Sequence, residues 1–374
     1  MNAAPGSGTA AITPSDDVTV GSSGEWTITY TASENFSNGE ISLSIPGGWT
    51  VPQSSDSSSS GYVTVSSDGI LAADPISIAS RVIFISIDSL TTGDTVAIVY
   101  GDSTEFSSGQ ATAQNSVESA IEFTVRSDPS GSSPVAISSS PVLNTTSDEI
   151  DSMIFNTSET SVIAGDITDK IRIQTVDQYN NPSSVSSDQI VNLSSSSSEG
   201  EFSILGGGGF SDTSSVTILS GEDTTSFYYR DITAGTPDIT ASPQGQSWTD
   251  AQQQVTVNPA SPLNIEITPR DTTITAGDYA RFTISVEDTF GNESPLSSDQ
   301  TIDLIKAGGD FYEIYDHSTS ILGTVISSGN SSKEVDYINT NMEMNLGYLI
   351  VLDDDSSPPD LNQARSDNLN SFPY

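Results

Sequence analysis

The chain contains no cysteine, so neither a disulfide framework nor a thiolate metal site can be built. Basic residues are scarce: ten Lys and Arg stand against 50 Asp and Glu, with one histidine and a formal net charge of −40. A surface of that sign repels a phosphate backbone, which excludes nonspecific nucleic-acid binding. It also leaves no basic patch for docking on an anionic leaflet. Long apolar runs are missing too; Val96-Ala97-Ile98-Val99-Tyr100, among the longest, falls far short of a membrane span. The opening Met1-Asn2-Ala3-Ala4-Pro5-Gly6 has neither a basic nor an apolar leader region. That leaves a cytosolic protein or a piece of a secreted one whose leader lies outside the chain. Three lysines and a strong Asp/Ser/Thr/Gly bias favour the second, with an extracellular or cell-surface location.

What is present is strand signal. Ser and Thr make up roughly 28% of the residues, well above ordinary usage. Between the polar stretches, Glu25-Trp26-Thr27-Ile28-Thr29-Tyr30-Thr31 alternates with period two, as a half-buried strand does. Ile41, Leu43 and Ile45 repeat the pattern, as do Val82 to Ile87, Val96 to Tyr100 and Ile121-Phe123-Val125. Turn-forming clusters intervene at sandwich-like spacing, and no 3.6-residue stripe is evident. The chain is expected to be all-β, and 374 residues suit two or three domains.

An internal repeat sharpens this. Ala164-Gly165-Asp166 recurs as Ala276-Gly277-Asp278, and Ser186-Ser187-Asp188-Gln189 recurs letter for letter at Ser297-Ser298-Asp299-Gln300. Asp177-Gln178-Tyr179-Asn180-Asn181-Pro182 answers Asp288-Thr289-Phe290-Gly291-Asn292, and Tyr229 answers Tyr337. The offset stays near ~110 residues, about one immunoglobulin-sized sandwich. Val18-Thr19-Val20-Gly21, followed by the Trp26 strand, is a weaker relative of Val162-Ile163-Ala164-Gly165. The expected organisation is three tandem immunoglobulin-like β-sandwich domains in an elongated array, spanning residues 1–147, 148–260 and 261–374.

The second unit resembles the immunoglobulin-like repeats of large bacterial surface and secreted proteins related to the invasin and intimin stalk domains. The resemblance rests on Val162 to Gly165, on Asp177 to Pro182, and on Phe227-Tyr228-Tyr229-Arg230-Asp231 followed by Ala234-Gly235-Thr236-Pro237. It covers residues 150–260 well and 261–374 moderately; in the third unit Met344-Asn345-Leu346-Gly347 replaces the Ala-Gly-Thr-Pro turn. The resemblance implies stalks, spacers and adhesive arrays, and no catalytic residues.

Residue chemistry agrees. His317 sits in a polar stretch between Asp316 and Ser318, where a solvated histidine is expected, not a triad base. Hard oxygen ligands gather at Asp353, Asp354 and Asp355 and at Asp166 with Asp169, turns in which Ca²⁺ could find six or more oxygens. None has EF-hand spacing, and a solvated acidic turn is the plainer reading. The Asp-x-aromatic-x-Asn loops read first as hairpin-shaping turns, since Asp and Asn bond their own backbone and tolerate positive φ. Trp26 reads as core, whereas Trp49, just after Pro46-Gly47-Gly48, is the candidate for an exposed sugar-stacking platform.

Three functional readings follow. The leading one is a non-enzymatic extracellular structural or adhesive protein, a stalk or surface-array segment. Its partners would be neighbouring copies or further immunoglobulin-like domains of the parent protein, and surface glycans or proteins. The second is a carbohydrate-binding accessory module of a secreted enzyme. The third is a self-assembling surface-layer or filament subunit in which Asn2 to Ile12 adds as a strand to a neighbour's sheet edge. The charge itself generates a test. Uncompensated negative charge opposes the compact state unless counterions screen it, so the melting temperature should rise with salt. Melting at matched ionic strength with Ca²⁺, Mg²⁺ or chelator should show an added increment with Ca²⁺ if the Asp353 to Asp355 or Asp166/Asp169 groups bind it. Identical curves would remove specific calcium sites.

Overall fold

The computed structural model of the chain describes residues 6–269, 271–305, 308–340, 350–353, 359–365 and 368–372. Among these, two three-residue 3₁₀ turns, Ser107–Gly109 and Gly207–Gly209, are the whole helical content, and strands make up the framework. The residues cluster into two compact units. Unit 1 comprises Met1–Ser152 with Thr175–Ser186; unit 2 comprises Met153–Gln174 with Ser187–Tyr374.

In unit 1 the strands Thr9–Thr13, Trp26–Thr31, Thr95–Tyr100 and Val63–Ser67 lie side by side in that order. A second sheet runs Val135–Ala136, Thr124–Asp128, Phe36–Ser44, Val82–Leu90, Ile70–Ala79. Period-two alternation sends Trp26, Ile28 and Tyr30, with Val96, Ile98 and Tyr100, into a shared core with Ile41, Leu43, Ile83, Ile85, Phe123 and Val125. Trp49 belongs to that core and is no platform: it is 1% exposed and stands edge-on to Trp26 at 4.8 Å and to Phe123 at 5.2 Å. The Gly48 turn, at φ 82°, directs it inward. The Arg81 guanidinium then ties the segment down by donating to the Pro46 and Trp49 carbonyls at 2.9 and 2.7 Å. Of the segment expected to donate a strand, Asn2 to Ile12, the part from Thr9 on is used within its own sheet, since Thr9–Thr13 pairs antiparallel with Trp26–Thr31, Ile12 opposite Ile28. Asn2 to Pro5 lie outside the described residues.

Further along the chain, Ile171–Asp177 and Thr224–Arg230 sit between Ile150–Phe155 and Glu201–Ser203 in one sheet. The facing sheet runs Thr160–Ile163, Ala251–Asn258, Asp238–Pro243, Gln189–Ser195, Ser215–Ile218. By chain order these are the A-B-E-D and G-F-C arrangements of an immunoglobulin sandwich. The plan recurs further on. Asn264–Thr268, Tyr279–Glu287, Ser332–Ile338 and Asp310–Glu313 form one sheet, extended by Asp316–Ile321. Gly323–Ile326, Gln300–Ile305, Ile350–Asp353 and Ala364–Arg365 form the other, around Phe282, Ile284, Ile302, Phe311, Val335 and Tyr337. The fold is immunoglobulin-like β-sandwich throughout.

One feature appears three times. A short early strand pairs in parallel with the strand that closes its sandwich: Val18–Thr19 with Thr145–Thr146, Thr160–Ile163 with Val255–Asn258, and Asp271–Thr275 with Asn368–Phe372. Parallel neighbours need a long crossover, here supplied by all the strands in between. Each early strand runs directly into a glycine at positive φ, namely Gly21, Gly165 and Gly277.

Candidate functional site

The residues first suspected of chemistry are dispersed. Asp166 and Asp169 line an open cavity with Ser161 and Asn258. Asp353 accepts from Gln300 and from the Leu361 N–H, while Asp354 and Asp355 lie outside the described residues. Among the described residues no three His, Cys, Asp or Glu side chains gather as a metal cage. His317 differs from the expected solvated residue. It lies on the strand Asp316–Ile321, stacked on Tyr279 at 3.7 Å, with Nε2 2.9 Å from Asp336. Ser318 Oγ donates to Asp316 at 2.6 Å, so the neighbouring hydroxyl is engaged elsewhere and is not its nucleophile.

The two Asp-x-aromatic-x-Asn loops form the most elaborate polar sites. Each follows the third strand of its sandwich and is first of all a self-bonded turn, as the sequence suggested. Asp177 Oδ1 accepts the N–H groups of Tyr179 and Asn181, both at 2.9 Å. Asp288 Oδ1 accepts those of Phe290 and Asn292 at 2.8 and 3.0 Å. The position requiring positive φ is Asn180 in one loop and Gly291 in the other, residues suited to it.

The loops also do something that turn chemistry alone does not show. In unit 1, Asn181 Nδ2 donates to the Asn115 carbonyl at 2.8 Å while its Oδ1 accepts the Val117 N–H at 3.2 Å. In unit 2, Asn292 Nδ2 donates to the Ile232 carbonyl and its Oδ1 accepts the Ala234 N–H, both at 2.8 Å. A carboxamide thus meets a carbonyl and the N–H two residues on, as a neighbouring strand would. The other carboxylate oxygen takes the connecting segment: Asp148 N–H to Asp177 Oδ2 at 3.0 Å, and Ala260 N–H to Asp288 Oδ2 at 2.8 Å. Ser183 and Ser294 hydroxyls close the set by donating to the carbonyls of Asp148 and Ala260.

The aromatic residue completes each clamp. The ring of Tyr179 covers Gly21 and that of Phe290 covers Gly165 so closely that a Cβ would fall 2.1 Å from Tyr179 Oη and 2.6 Å from Phe290 Cζ. Glycine is therefore required there twice over, for its φ and for the ring. Both aspartates are buried, at 1% and 0% exposure. Burial alone would push their carboxyls up, but the Asn side chains and the backbone N–H donors outweigh it and hold both below the usual Asp value.

No family model matches the chain, and no curated protein matches it. Among solved structures, it is similar to FdeC, an Escherichia coli adhesin, at 14% identity over 99% of this chain and 98% of that one, with a TM-score of 0.35. It is similar to invasin, a bacterial integrin-binding protein, at 12% identity over 98% and 60%, with a TM-score of 0.35. Domains 5–6 of the surface-layer protein SbsC match at 14% identity over 60% and 99%, with a TM-score of 0.21. These are adhesins and a surface-layer protein, not enzymes. The sheet order described above, and not these distant likenesses, carries the fold. Among the described residues no helix is long and apolar enough to cross a membrane.

Replacing Asn292 by Ala removes three bonds around a buried carboxylate and should destabilise unit 2 by about 2–4 kcal/mol in denaturant unfolding. Acid should act on the same sites. A carboxyl held low in the folded state contributes its full stabilisation above about pH 4, near the unfolded Asp value. That contribution is lost as pH falls through the lower folded value. Unfolding midpoints followed from pH 6 downward should therefore drop below about pH 4, and Asp288→Asn should flatten that fall.

Proposed function

We propose that this chain is a non-enzymatic extracellular structural protein, three immunoglobulin-like domains (residues 1–147, 148–260 and 261–374) forming part of a stalk or surface array. The observation that carries this reading is the clamp made twice from the same parts. Buried Asp, ring on glycine, carboxamide on backbone and Ser on the connecting segment recur at Asp177 to Ser183 and Asp288 to Ser294. Such an arrangement spends its polar side chains on holding a loop to a distant turn and to the connecting segment, which suits a protein that works by reach and stiffness. The three parallel strand pairs support the proposed boundaries, since each pair opens and closes within one of them.

The alternatives remain compatible with the fold, but two of the residues that suggested them are placed elsewhere. The carbohydrate reading looked first to Trp49 for its exposed aromatic, and Trp49 is core. The strand-donation version of self-assembly named Asn2 to Ile12, of which Thr9 to Ile12 pair in their own sheet and Asn2 to Pro5 lie outside the described residues. Further immunoglobulin-like domains, surface proteins and glycans remain the classes of partner that suit an acidic, hydroxyl-rich surface.

Small-angle scattering in moderate salt tests the proposal. An elongated particle is expected, with a maximum dimension that becomes less well defined when Asn181 and Asn292 are both replaced by Ala. A compact globule would remove the stalk reading.

A further inference from the structure

Each clamp has a plug and a seat. The plug is the Asp-x-aromatic-x-Asn loop. The seat is the glycine that follows the early parallel strand, together with the two carbonyls beside it. Gly21 N–H donates to the Gln114 carbonyl at 3.0 Å and the next carbonyl, Asn115, takes Asn181. Gly165 N–H donates to the Asp231 carbonyl at 2.8 Å and the next carbonyl, Ile232, takes Asn292.

A third seat has the same construction. Gly277, at φ 94°, follows the parallel strand Asp271–Thr275 and donates to the Asn339 carbonyl at 2.9 Å, which makes Thr340 the counterpart of Asn115 and Ile232. Among the described residues no plug fills this seat. Nothing among them lies within 4 Å of a Cβ built on Gly277, where at Gly21 and Gly165 a ring fills that space. Gly277 is exposed while Gly21 and Gly165 are half-buried, and Ala276 is half-buried while its counterparts Val20 and Ala164 are buried. Neither plug of this chain is spare, because both are seated. The strand Trp26–Thr31, the counterpart of the two that lead into plugs, runs instead into Ala32-Ser33-Glu34-Asn35.

We propose that the Gly277–Thr340 seat binds the Asp-x-aromatic-x-Asn loop of another immunoglobulin-like sandwich whose own loop is unseated. The ring covers Gly277, and the carboxamide N–H donates to the Thr340 carbonyl. A second copy of this chain is a poor occupant, since it would have to unseat a loop of its own. The inference rests on the array reading only in treating the two clamps as junctions between sandwiches.

The absence of cysteine makes a direct test available. Ala276→Cys gives the full chain its sole thiol, and maleimide labelling should be fast. The probe is the same chain extended directly after Tyr374 by a second copy of residues 261–374. This keeps the two-residue step from closing strand to clamp seen in Thr146 to Asp148 and Asn258 to Ala260. Labelling should slow by about tenfold or more as the seat is covered. It should recover when the counterparts of Phe290 and Asn292 in the added copy are Ala. A second extension by residues 148–260, carrying the Tyr179 loop, gives the same reading if the first copy does not fold. Unchanged labelling beside a folded extension overturns the proposal. So does dimerisation of the unextended chain with loss of labelling, which would assign the seat to a second copy. Elongated scattering with unchanged labelling would sink the seat alone and leave the stalk reading standing.

Discussion

The structure depends on how a buried carboxylate is satisfied when almost no cations are available. Asp177 and Asp288 are nearly inaccessible, and among the described residues no lysine or arginine meets them; their partners are amide N–H groups and a carboxamide. Neutral donors can hold a carboxylate ionised when several converge, and convergence is what fixes geometry. Each aspartate gathers its own loop and the connecting segment around one point, and the adjacent Asn extends the network to the turn it clasps. Replacing these donors with a single arginine would supply charge but not that arrangement.

The same economy extends over the surface. Asp56, Asp68 and Asp102 are held below the usual Asp value by hydroxyl and backbone donors from Ser58 and Ser59, Thr95, and Thr104 with Thr64. The high Ser and Thr content thus has a structural role: it supplies donors to carboxylates that the chain's ten basic residues could not serve. Basic side chains do meet a carboxylate at one buried position. Arg281 and His317 both reach Asp336, whose carboxyl burial alone would push up but which these partners bring down.

Much of this was legible in the residues, and the unread part has a common cause. Period-two alternation placed Trp26, Ile28 and Tyr30 in a core because it depends only on neighbours in sequence. The repeat placed Gln189 and Gln300 alike, and they do occupy matching registers opposite Ile218 and Ile326. The self-bonded Asp turns were readable for the same local reason. The destinations of Trp49, His317, Thr9–Thr13 and the Asn181 and Asn292 side chains were not, since each is decided by a partner tens of residues away. Recurrence of the loop argued for structure over ligand binding. It carried no sign that the structure in question was a clamp onto a separate turn, although the glycine repeated at 21, 165 and 277 is the one trace of it that sequence holds.

The parallel pairing that closes each sandwich has a mechanical consequence. In the second, Thr160 to Ile163 run alongside Val255 to Asn258 in the same direction, so the chain enters at one end of the pair and leaves at the other. Tension applied along the chain pulls those strands past one another in shear. Their ladder bonds then bear load together instead of opening one at a time, as they would in a hairpin peeled from its end. A sandwich closed in this way resists extension with its whole terminal ladder, and it does so without a disulfide.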